Sequence, residues 1–350
     1  MTVDLLELAR AVPDEVVEQI GSSRHVLAVS HEHPDADTLG AVLGVAAIVE
    51  HLGGRAAAVC TDPVPELYAF LPGIERFRTD PDPAAPYDLL VVCDCGALDR
   101  VGEVAARHPV LFERLPRVVI DHHASNQAGG TGEWIDPASA ATCEMVALLA
   151  VRLGVPLEAD EGSLATVLMA GIVMDTATFG HPNATPRTLG VAAALVEAGA
   201  PLSDISRRLY RTKPDAQLRL FGRVLDRLGT ASGGRVIYST LLEADHEATG
   251  TNPAHSEGLI DLLAQSETAD IAILFKENGP TTRISVRTKA GGVDATELTG
   301  TFGGGGHPRA AGATIGAPVE SARPRVLARA DELVTRLAAQ SGAGQLDIRP

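Results

Sequence analysis

Short motifs rich in aspartate and histidine recur in this sequence, and each one stands at the end of an apolar run. A continuous apolar run bounded by turn residues is typical of a buried strand in a parallel sheet. Ligands bind beyond the carboxyl ends of such strands in open α/β folds. We therefore expect motifs that are far apart in the sequence to converge at one sheet edge. The motifs are His31-Glu32-His33-Pro34-Asp35-Ala36-Asp37, Asp94, Asp121-His122-His123 and Asp175.

The first half of the chain alternates apolar strands with helical patterns, which predicts a parallel sheet covered on both faces. A new strand pattern begins near residue 235 and predicts a second, smaller α/β domain. We therefore predict an α/β fold with domains at 1–190 and 231–340, a helical connection at 191–230 and a tail at 341–350. Strands are expected at 26–30, 55–60, 89–94, 118–120, 235–241, 270–275 and 282–288. Helices are expected at 38–52, 139–153, 161–174, 189–198, 202–210, 214–228, 256–265 and 319–339.

The composition limits the classes of substrate that this chain can bind. It has 350 residues, of which 45% are hydrophobic, and this is enough to bury more than one core. The formal net charge of -16 argues against broad electrostatic binding of duplex DNA or long RNA, which requires clustered lysine and arginine. A small phosphorylated substrate held in a local pocket is compatible with this charge.

The sequence also predicts a cytoplasmic protein with no membrane partner. Its four cysteines form no C-x-x-C pair, which in a chain of this length indicates reduced thiols. The acidic N-terminus is unlike a signal peptide, and every long apolar stretch is interrupted by charge, glycine or proline. Cys93 and Cys95 flank Asp94 and are expected to be packing residues rather than zinc ligands.

The first motif points to a divalent metal ion. Hard cations prefer carboxylate oxygens, and imidazole nitrogens extend the range to Mn²⁺. His31, Asp35 and Asp37 lie within seven residues, directly after a predicted buried strand. Asp37 or Thr38 is also expected to cap the following helix. Taken singly, an aspartate here is more typical of a cap or turn, so the metal interpretation depends on convergence with the other motifs.

The later motifs supply that convergence. Asp94 and the Asp121-His122-His123 motif follow predicted buried strands, where a carboxylate needs a partner because an unpaired buried charge is costly. Adjacent histidines point in different directions, so one can bind metal while the other faces substrate, and Asp121 can orient a histidine as an acceptor. The plain alternatives are a helix cap for Asp94, a surface histidine pair, and a helix-end residue for Asp175.

A four-glycine loop followed by a histidine, Gly303-Gly304-Gly305-Gly306-His307, suggests a phosphate pocket in the second domain. Glycines let backbone N–H groups approach an anion closely. Arg283 and Arg287 on an upstream strand and a helix-compatible run at 309–312 favour this interpretation over a flexible hairpin or linker. Neither a P-loop nor a dinucleotide fingerprint is present in the sequence.

Together these motifs resemble the signature motifs of the DHH phosphoesterase superfamily, and the glycine-rich module resembles its DHHA1 domain. The segments Asp121-His122-His123-Ala124-Ser125-Asn126, Ala141-Thr142-Cys143-Glu144 and Gly171-Ile172-Val173-Met174-Asp175-Thr176 resemble the stand-alone, NrnA-like branch of oligoribonucleases and 3'-phosphoadenosine 5'-phosphate (pAp) phosphatases. That branch includes actinobacterial-type cyclic di-AMP phosphodiesterases. The resemblance covers residues 20–340.

The resemblance implies an active site in the cleft between the two domains, with two divalent ions. Mn²⁺ suits the mixed carboxylate and imidazole ligands, with Mg²⁺ or Co²⁺ as alternatives. The implied ligands are His31 and Asp35 for one ion, Asp37, His122 and Asp175 for the other, and Asp94 as a bridge. His123 is expected to contact the scissile phosphate. The implied substrate contacts are Arg100, Ser125 and Asn126 from the first domain, and Arg287, Gly303, Gly304, Gly305, Gly306 and His307 from the second.

The function implied is hydrolysis of small nucleotides by a homodimeric enzyme. The candidate substrates are cyclic di-AMP, linear pApA, short oligoribonucleotides and pAp, and the sequence does not rank them. Two alternatives stay open: a family II-type inorganic pyrophosphatase, and a non-catalytic cyclic di-AMP sensor. A purely structural scaffold is disfavoured, because it would not require six converging ligands.

Overall fold

The computed structural model describes residues 4–159 and 162–343, with side chains described as far as 339. Contacts between Cα atoms divide the chain into two compact units, Met1–Thr212 and Lys213–Pro350. The predicted connection at 191–230 falls across this boundary, because its apolar residues before 212 pack in one core and those after it in another. Of the predicted tail, 341–343 continue the last helix and 344–350 lie outside the described residues.

The first unit contains a five-stranded sheet in which all paired strands are parallel. Its middle strands consist almost entirely of valine, leucine, isoleucine and alanine and are buried on both faces, as expected of a parallel sheet covered by helices. The order in the sheet is β2-β1-β3-β4-β5. The strands are β1 (His25–Val29), β2 (Arg55–Val59), β3 (Leu89–Cys93), β4 (Arg117–Asp121) and β5 (Gly132–Ile135).

Successive residues of a strand point to opposite faces, so this sheet contributes to two apolar cores. Val26 and Ala28 of β1 face the larger core, which also contains most of the long helices. Leu27 and Val29 face a smaller core under the shorter helices between β3 and β4. The helices are α1 (Leu5–Leu8), α2 (Asp14–Ser22), α3 (Ala36–His51), α4 (Glu103–Arg107), α5 (Pro109–Arg114), α6 (Thr142–Arg152), α7 (Ser163–Asp175), α8 (Pro186–Glu197) and α9 (Leu202–Ser206), the last continued by a π-helical turn, Arg207–Arg211. Short 3₁₀ turns lie at Ala9–Ala11, Glu66–Tyr68, Ile74–Arg76 and Leu98–Val101.

The second unit is built on a six-stranded mixed sheet of order β10-β11-β9-β8-β7-β6. Only β7 and β8 pair in parallel among these neighbours, and the other pairs are antiparallel. The strands are β6 (Gly229–Ala231), β7 (Val236–Leu241), β8 (Ile271–Asn278), β9 (Thr281–Thr288), β10 (Gly305–His307) and β11 (Ala310–Ile315). The helices are α10 (Asp215–Leu225), α11 (Glu243–Thr249), α12 (Leu259–Leu263), α13 (Ala295–Gly300) and α14 (Val319–Ala343), with 3₁₀ turns at Ser232–Gly234 and Pro253–Ser256.

The predicted α/β class and the parallel sheet of the first half are confirmed. Two local expectations are wrong. The run at 309–312, expected to be helix-compatible, begins strand β11, and the last residues of the glycine loop form β10. Small residues allow these two strands to pair closely: a Cβ on Gly306 would lie 2.6 Å from the carbonyl oxygen of Ala310.

Within residues 4–159 and 162–343, no single helix combines the length and apolar character needed to cross a membrane. One pair of helices, Pro186–Glu197 and Leu202–Arg211, meets the length and composition criteria only when taken together, and it is bent by 114°.

Candidate active site

The sheet of the first unit brings the predicted motifs to one edge. His31 and Asp94 follow β1 and β3, and Asp121 ends β4. Because β1, β3 and β4 are adjacent and parallel, their carboxyl ends lie side by side. The ligand atoms in each of three groups lie within 4.8 Å of one another. The groups are His31, Asp35 and Asp94; Asp37, His122 and Asp175; and Asp94, His122 and His123.

Asp94 belongs to two of these groups, and its two carboxylate oxygens face different partners. Oδ2 lies 3.6 Å from Nε2 of His31, and Oδ1 lies 3.5 Å from Nε2 of His122. The residue has a backbone φ of +54°, in the left-handed region that aspartate and asparagine tolerate better than most side chains. This turn directs the side chain of Asp94 away from the strand end and into the cluster.

Asp35 has a local structural role as well as a place among the ligand groups. Its Oδ1 accepts hydrogen bonds from the backbone N–H groups of Asp37 (2.9 Å) and Thr38 (3.1 Å) at the start of α3. The prediction that Asp37 or Thr38 caps this helix is wrong, because Asp35 is the N-cap residue. An aspartate at this position satisfies backbone donors that have no partner within the helix.

Asp37 is fully buried and is held by the first turn of α6. Its Oδ2 accepts from the N–H of Thr142 at 2.7 Å, and its Oδ1 accepts from the N–H of Cys143 at 2.9 Å. These donors are free because the first N–H groups of a helix lack intrahelical partners, and the helix dipole favours a carboxylate there. The two residues were not predicted as site residues, since they lie 105 and 106 positions from Asp37 in the chain.

A glycine on α7 makes room for this arrangement. A Cβ on Gly171 would lie 2.5 Å from Oδ1 of Asp37 and 2.4 Å from Sγ of Cys143, both far inside contact distance. Helices α3, α6 and α7 therefore pack closely around the carboxylate of Asp37. Asp175, at the end of α7, is brought by this packing to 3.2 Å from Nε2 of His122, measured from its Oδ2.

The histidines are oriented by acceptors at their other ring nitrogens. Nδ1 of His31 lies 2.6 Å from the carbonyl oxygen of Glu32, so its Nε2 is turned toward Asp94. Nδ1 of His123 lies 2.7 Å from Oδ1 of the buried Asp121. Such acceptors fix the tautomer and the ring orientation of a histidine. The hydrogen bond to Asp121 is the main cause of a raised pKa for His123.

Three carboxyl groups in the cluster have raised pKa values. Burial is the largest cause for Asp37, Asp94 and Asp175, and repulsion from neighbouring carboxylates adds to it for each of them. Buried carboxylates this close together destabilise one another unless positive charge is present between them. Oxygen and imidazole nitrogen donors in overlapping groups are a donor set suited to divalent ions such as Mn²⁺. The residues present therefore fit the metal ions implied by the motifs.

The predicted substrate residues of the first unit have different surroundings. Arg100 and Ser125 are exposed. The positive charge of Arg100 lies close enough to His123 to oppose the rise in its pKa. Asn126, in contrast, is engaged within its loop: its Nδ2 donates to Oδ2 of Asp121 (2.5 Å) and to the carbonyl oxygen of Cys95 (3.0 Å). The Asn126 side chain thus supports the loop that carries the two histidines.

In the second unit, several cationic residues share one face of the sheet. Lys276 of β8 pairs in register with Arg283 of β9, and Arg287 lies on the same side as Arg283 because strand side chains alternate. His307 of β10 continues the row of Arg287 through Ala310. Burial is the largest cause of a lowered pKa for Lys276, and repulsion from Arg283 and Arg287 contributes.

A cavity of about 330 Å³ opens on this face of the second unit. Arg287 is held at its wall, since its Nε donates to Oδ1 of Asp261 at 2.8 Å. Nζ of Lys276 donates to Oγ of Ser256 at 3.0 Å. Sequence reasoning identified Arg287 but missed Lys276 and Ser256. The lining residues are Pro253, Ala254, Ser256, Glu257, Gly258, Ile260, Asp261, Lys276, Ser285 and Arg287.

The four cysteines are buried free thiols. Burial raises the pKa of Cys93 and Cys143 well above the usual value, and that of Cys95 to about 12. None belongs to the three ligand groups found among the described residues. Cys93 and Cys95 pack in opposite cores of the first unit, which agrees with their predicted role as packing residues.

A parallel sheet with overlapping groups of aspartate and histidine at one edge is the arrangement expected of a metal-dependent phosphoesterase. Residues 25–172 match the DHH family, N-terminal domain, and residues 233–336 match the DHHA1 domain. The chain is 33% identical over 308 residues to a protein of Thermus thermophilus named bifunctional oligoribonuclease and PAP phosphatase NrnA, covering 88% of this chain and 89% of that one. The chain therefore belongs to the DHH family and carries its DHHA1 domain, which confirms the resemblance seen in the motifs.

A protein of the same name from Bacillus subtilis is 26% identical over 309 residues, which cover 86% of this chain and 92% of that relative. A solved structure, an exopolyphosphatase-related protein from Bacteroides fragilis, has a TM-score of 0.82 at 21% identity and covers 92% of this chain and 97% of its own. That likeness establishes a shared fold.

Proposed function

We propose that this protein is a metal-dependent phosphoesterase that hydrolyses small nucleotides at the edge of the first sheet. The observation that carries the proposal is the geometry of Asp94, whose two oxygens face separate ligand groups. This is the arrangement required of a carboxylate shared by two divalent ions. The relatives named oligoribonuclease and PAP phosphatase support short oligoribonucleotides and pAp as substrates. We extend the proposal to linear pApA and cyclic di-AMP on the basis of the sequence motifs.

When bound, two divalent ions, with Mn²⁺ as the first choice, supply Lewis-acid chemistry that makes water acidic enough to act near neutral pH and offsets charge on phosphoryl oxygens. The residues of the chain orient the substrate. His123 has a raised pKa, and the hydrogen bond from its Nδ1 to Asp121 is the main cause. In this proposal His123 donates a hydrogen bond to the scissile phosphoryl group, while Asp121 holds the ring. The exposed guanidinium of Arg100 adds positive charge on the same side.

We propose that the second unit binds the far end of the nucleotide. Its cavity is lined by two cationic side chains, Lys276 and Arg287, by two acidic ones, Glu257 and Asp261, and by the hydroxyl groups of Ser256 and Ser285. Burial and repulsion from Arg283 and Arg287 lower the pKa of Lys276 although Glu257 and Asp261 oppose the shift. A phosphate beside Lys276 would therefore stabilise its ammonium group. An anion site in this unit would favour nucleotides that carry a second phosphate over those that carry one.

A comparison of hydrolysis rates tests this function directly. The purified protein with Mn²⁺ is offered cyclic di-AMP, pApA, a short oligoribonucleotide, pAp and pyrophosphate in parallel, with a chelator in a second series. We expect release of mononucleotides or phosphate from at least one nucleotide, loss of that activity with chelator, and a loss of more than 100-fold in Asp94→Asn. The matched control is Asp331→Asn, an exposed aspartate on α14 in the second unit.

Other outcomes separate the alternatives. Hydrolysis of pyrophosphate without hydrolysis of any nucleotide identifies a pyrophosphatase and rejects the proposal. Binding of cyclic di-AMP without consumption of any substrate identifies a sensor. Wild-type rates in Asp94→Asn would reject the shared carboxylate.

A further inference from the structure

We infer that Thr142 is a positioning residue that sets the orientation of the Asp94 carboxylate between the ligand group of His31 and Asp35 and the ligand group of His122 and His123. This inference rests on the proposed two-metal function. Thr142 is the first residue of α6 and is not among the ligand groups. It acts on the site through Asp94 and Asp37 rather than through contact with substrate.

The contact that carries the inference is a hydrogen bond between two buried side chains. Oγ1 of Thr142 donates to Oδ1 of Asp94 at 3.0 Å, and the two residues are 0% and 2% exposed. The imidazole nitrogens of His31, His122 and His123 lie farther from this carboxylate, at 3.5–3.6 Å. Those longer distances are beyond ordinary hydrogen bonds and suit groups that surround an ion, whereas 3.0 Å is a direct hydrogen bond.

The role of this hydrogen bond depends on which oxygen of the Asp94 carboxylate accepts it. The left-handed backbone of Asp94 fixes where its Cβ points, but the carboxylate can still rotate about its bond to Cβ. Donation to Oδ1 holds that oxygen on the side of His122 and leaves Oδ2 on the side of His31. The hydroxyl of Thr142 therefore stabilises the rotamer of Asp94 in which one oxygen faces His122 and the other faces His31.

The same residue also holds a second carboxylate. The backbone N–H of Thr142 donates to Oδ2 of Asp37 at 2.7 Å. Asp37 belongs to the group formed with His122 and Asp175, and Asp94 is shared between the other two groups. Thr142 thus connects the three ligand groups through two hydrogen bonds, one from its side chain and one from its backbone.

Thr142 is held in place by the surroundings of the α6 N-terminus. Glu144, two residues later, is fully buried and accepts from Nε of Arg187 at 2.5 Å and from the N–H of Ala140 at 3.1 Å. Nδ2 of Asn183 donates to the carbonyl oxygen of Ala140 at 3.1 Å. These contacts tie the residues on both sides of Thr142 to the segment that follows α7, so the hydroxyl presents a fixed direction to Asp94.

The test compares Thr142→Val, which replaces the hydroxyl by a methyl group of similar size, with Thr142→Ser, which keeps the hydroxyl. Binding of Mn²⁺ is measured by calorimetry, and the electron paramagnetic resonance spectrum reports whether two bound Mn²⁺ ions are magnetically coupled through a shared ligand. We expect Thr142→Ser to bind two coupled ions like the wild type. We expect Thr142→Val to bind the second ion about 10–100-fold more weakly and to lose the coupled spectrum, as when a partner that orients a ligand is removed.

Thermal unfolding in the absence of metal separates a local effect from a loss of the fold. Valine lacks the Thr142 hydroxyl, and Asp94 then loses one hydrogen bond, so a small decrease in Tm is expected without Mn²⁺. A larger decrease is expected with Mn²⁺, because weaker binding stabilises the folded state less. Unchanged affinity and an unchanged coupled spectrum in Thr142→Val would overturn the role of Thr142. An equal loss of coupling in Thr142→Ser would also overturn it, because the hydroxyl would not be the relevant group. If the wild type itself binds fewer than two ions, the proposed two-metal function fails first.

Discussion

Single residues set the spacing within the candidate active site, and Gly171 shows this most directly. It has no strained backbone angle, so its requirement is steric: any side chain would collide with the carboxylate of Asp37 and the thiol of Cys143. The sequence alone predicted Asp37 as a metal ligand but gave no reason for glycine at 171. The reason lies in helix packing between segments more than 100 residues apart in the chain, since α3 and α7 meet only in the folded unit.

We expect Gly171→Ala to weaken Mn²⁺ binding and to lower stability by about 1–3 kcal/mol, because a methyl group forced into a packed core displaces its neighbours. The matched control is Gly222→Ala on α10, where a Cβ would meet nothing within 4 Å. There, alanine is expected to be neutral or to stabilise the helix by about 0.5–1 kcal/mol. Chemical denaturation and Mn²⁺ calorimetry measure both effects. Equal stability and equal affinity in the two variants would contradict this packing argument.

Lys276 is the residue of the second unit whose removal best tests the anion pocket. We expect Lys276→Met to raise KM about tenfold or more for a substrate with two phosphates and to change kcat little. A charge-assisted hydrogen bond contributes about 1.5–3 kcal/mol, and 1.4 kcal/mol corresponds to a factor of ten. Lys289→Met is the control, since Nζ of Lys289 donates to the carbonyl oxygen of Glu267 and does not line the cavity. Steady-state kinetics with pApA would contradict the prediction if both variants had the wild-type KM.

At the scale of helices and strands, α6 connects the ligand groups to the rest of the first unit. Its first turn binds Asp37 and Asp94, and its buried Glu144 pairs with Arg187 at the start of α8. Arg187 also donates from Nη1 to Oδ2 of Asp136, just after β5, at 2.8 Å. The position of α6 therefore depends on a small ion-pair network as well as on apolar packing.

We expect Arg187→Met to destabilise the protein by about 3–5 kcal/mol, because it leaves the carboxylate of Glu144 buried without its cation. Arg152→Met is the matched control. Arg152 is also on α6, but its pair with Asp14 is exposed, with 90% of the Asp14 side chain accessible, and exposed pairs contribute about 0–1 kcal/mol. Urea unfolding of the two variants gives the comparison. A similar small loss in both would show that the network around Glu144 does not hold α6.

The elements also show which parts of the fold the sequence could predict. Fully buried strands such as β3 were located to within a residue because burial on both faces produces an unbroken apolar run. Strand β5 was missed, since it has only four residues and Glu133 is exposed within it. The small-residue run that begins β11 was expected to be helix-compatible. Alanine and glycine show no apolar periodicity that distinguishes a helix from a strand, so the strand conformation is set by pairing with β9.

For the whole molecule, the expected ligands were predictable because each belongs to a motif at the end of an apolar run, and the parallel sheet predicts where such ends meet. Thr142 and Lys276 were not predictable as site residues, because each acts through a contact with another element that only the folded chain supplies. The net charge of -16 adds a global consequence, since much negative charge surrounds a cluster that is itself rich in carboxylates. We therefore expect cations to stabilise the folded protein both locally and through the average field.

We expect Mn²⁺ to raise the Tm of the protein and a chelator to lower it, because buried Asp37, Asp94 and Asp175 repel one another when no cation lies between them. Ligand binding to the folded state alone stabilises it by about 2.7 kcal/mol at a concentration of 100 Kd. Differential scanning calorimetry over a Mn²⁺ titration measures the shift. Na⁺ at matched ionic strength controls for screening, and an equal Tm shift with Na⁺ would show that no specific cation site exists.

The left-handed backbone at Asp94 has a practical consequence for finding the natural substrate. Asparagine adopts a φ near +54° about as readily as aspartate, so Asp94→Asn removes a charge without forcing the turn to rearrange. An immobilised Asp94→Asn protein would then keep the pocket of the second unit unchanged while turning over its ligand very slowly. A small-molecule extract of growing cells would be passed over such a column, and the retained nucleotides would be identified by mass spectrometry. The retained nucleotides would show which candidate substrates the protein binds.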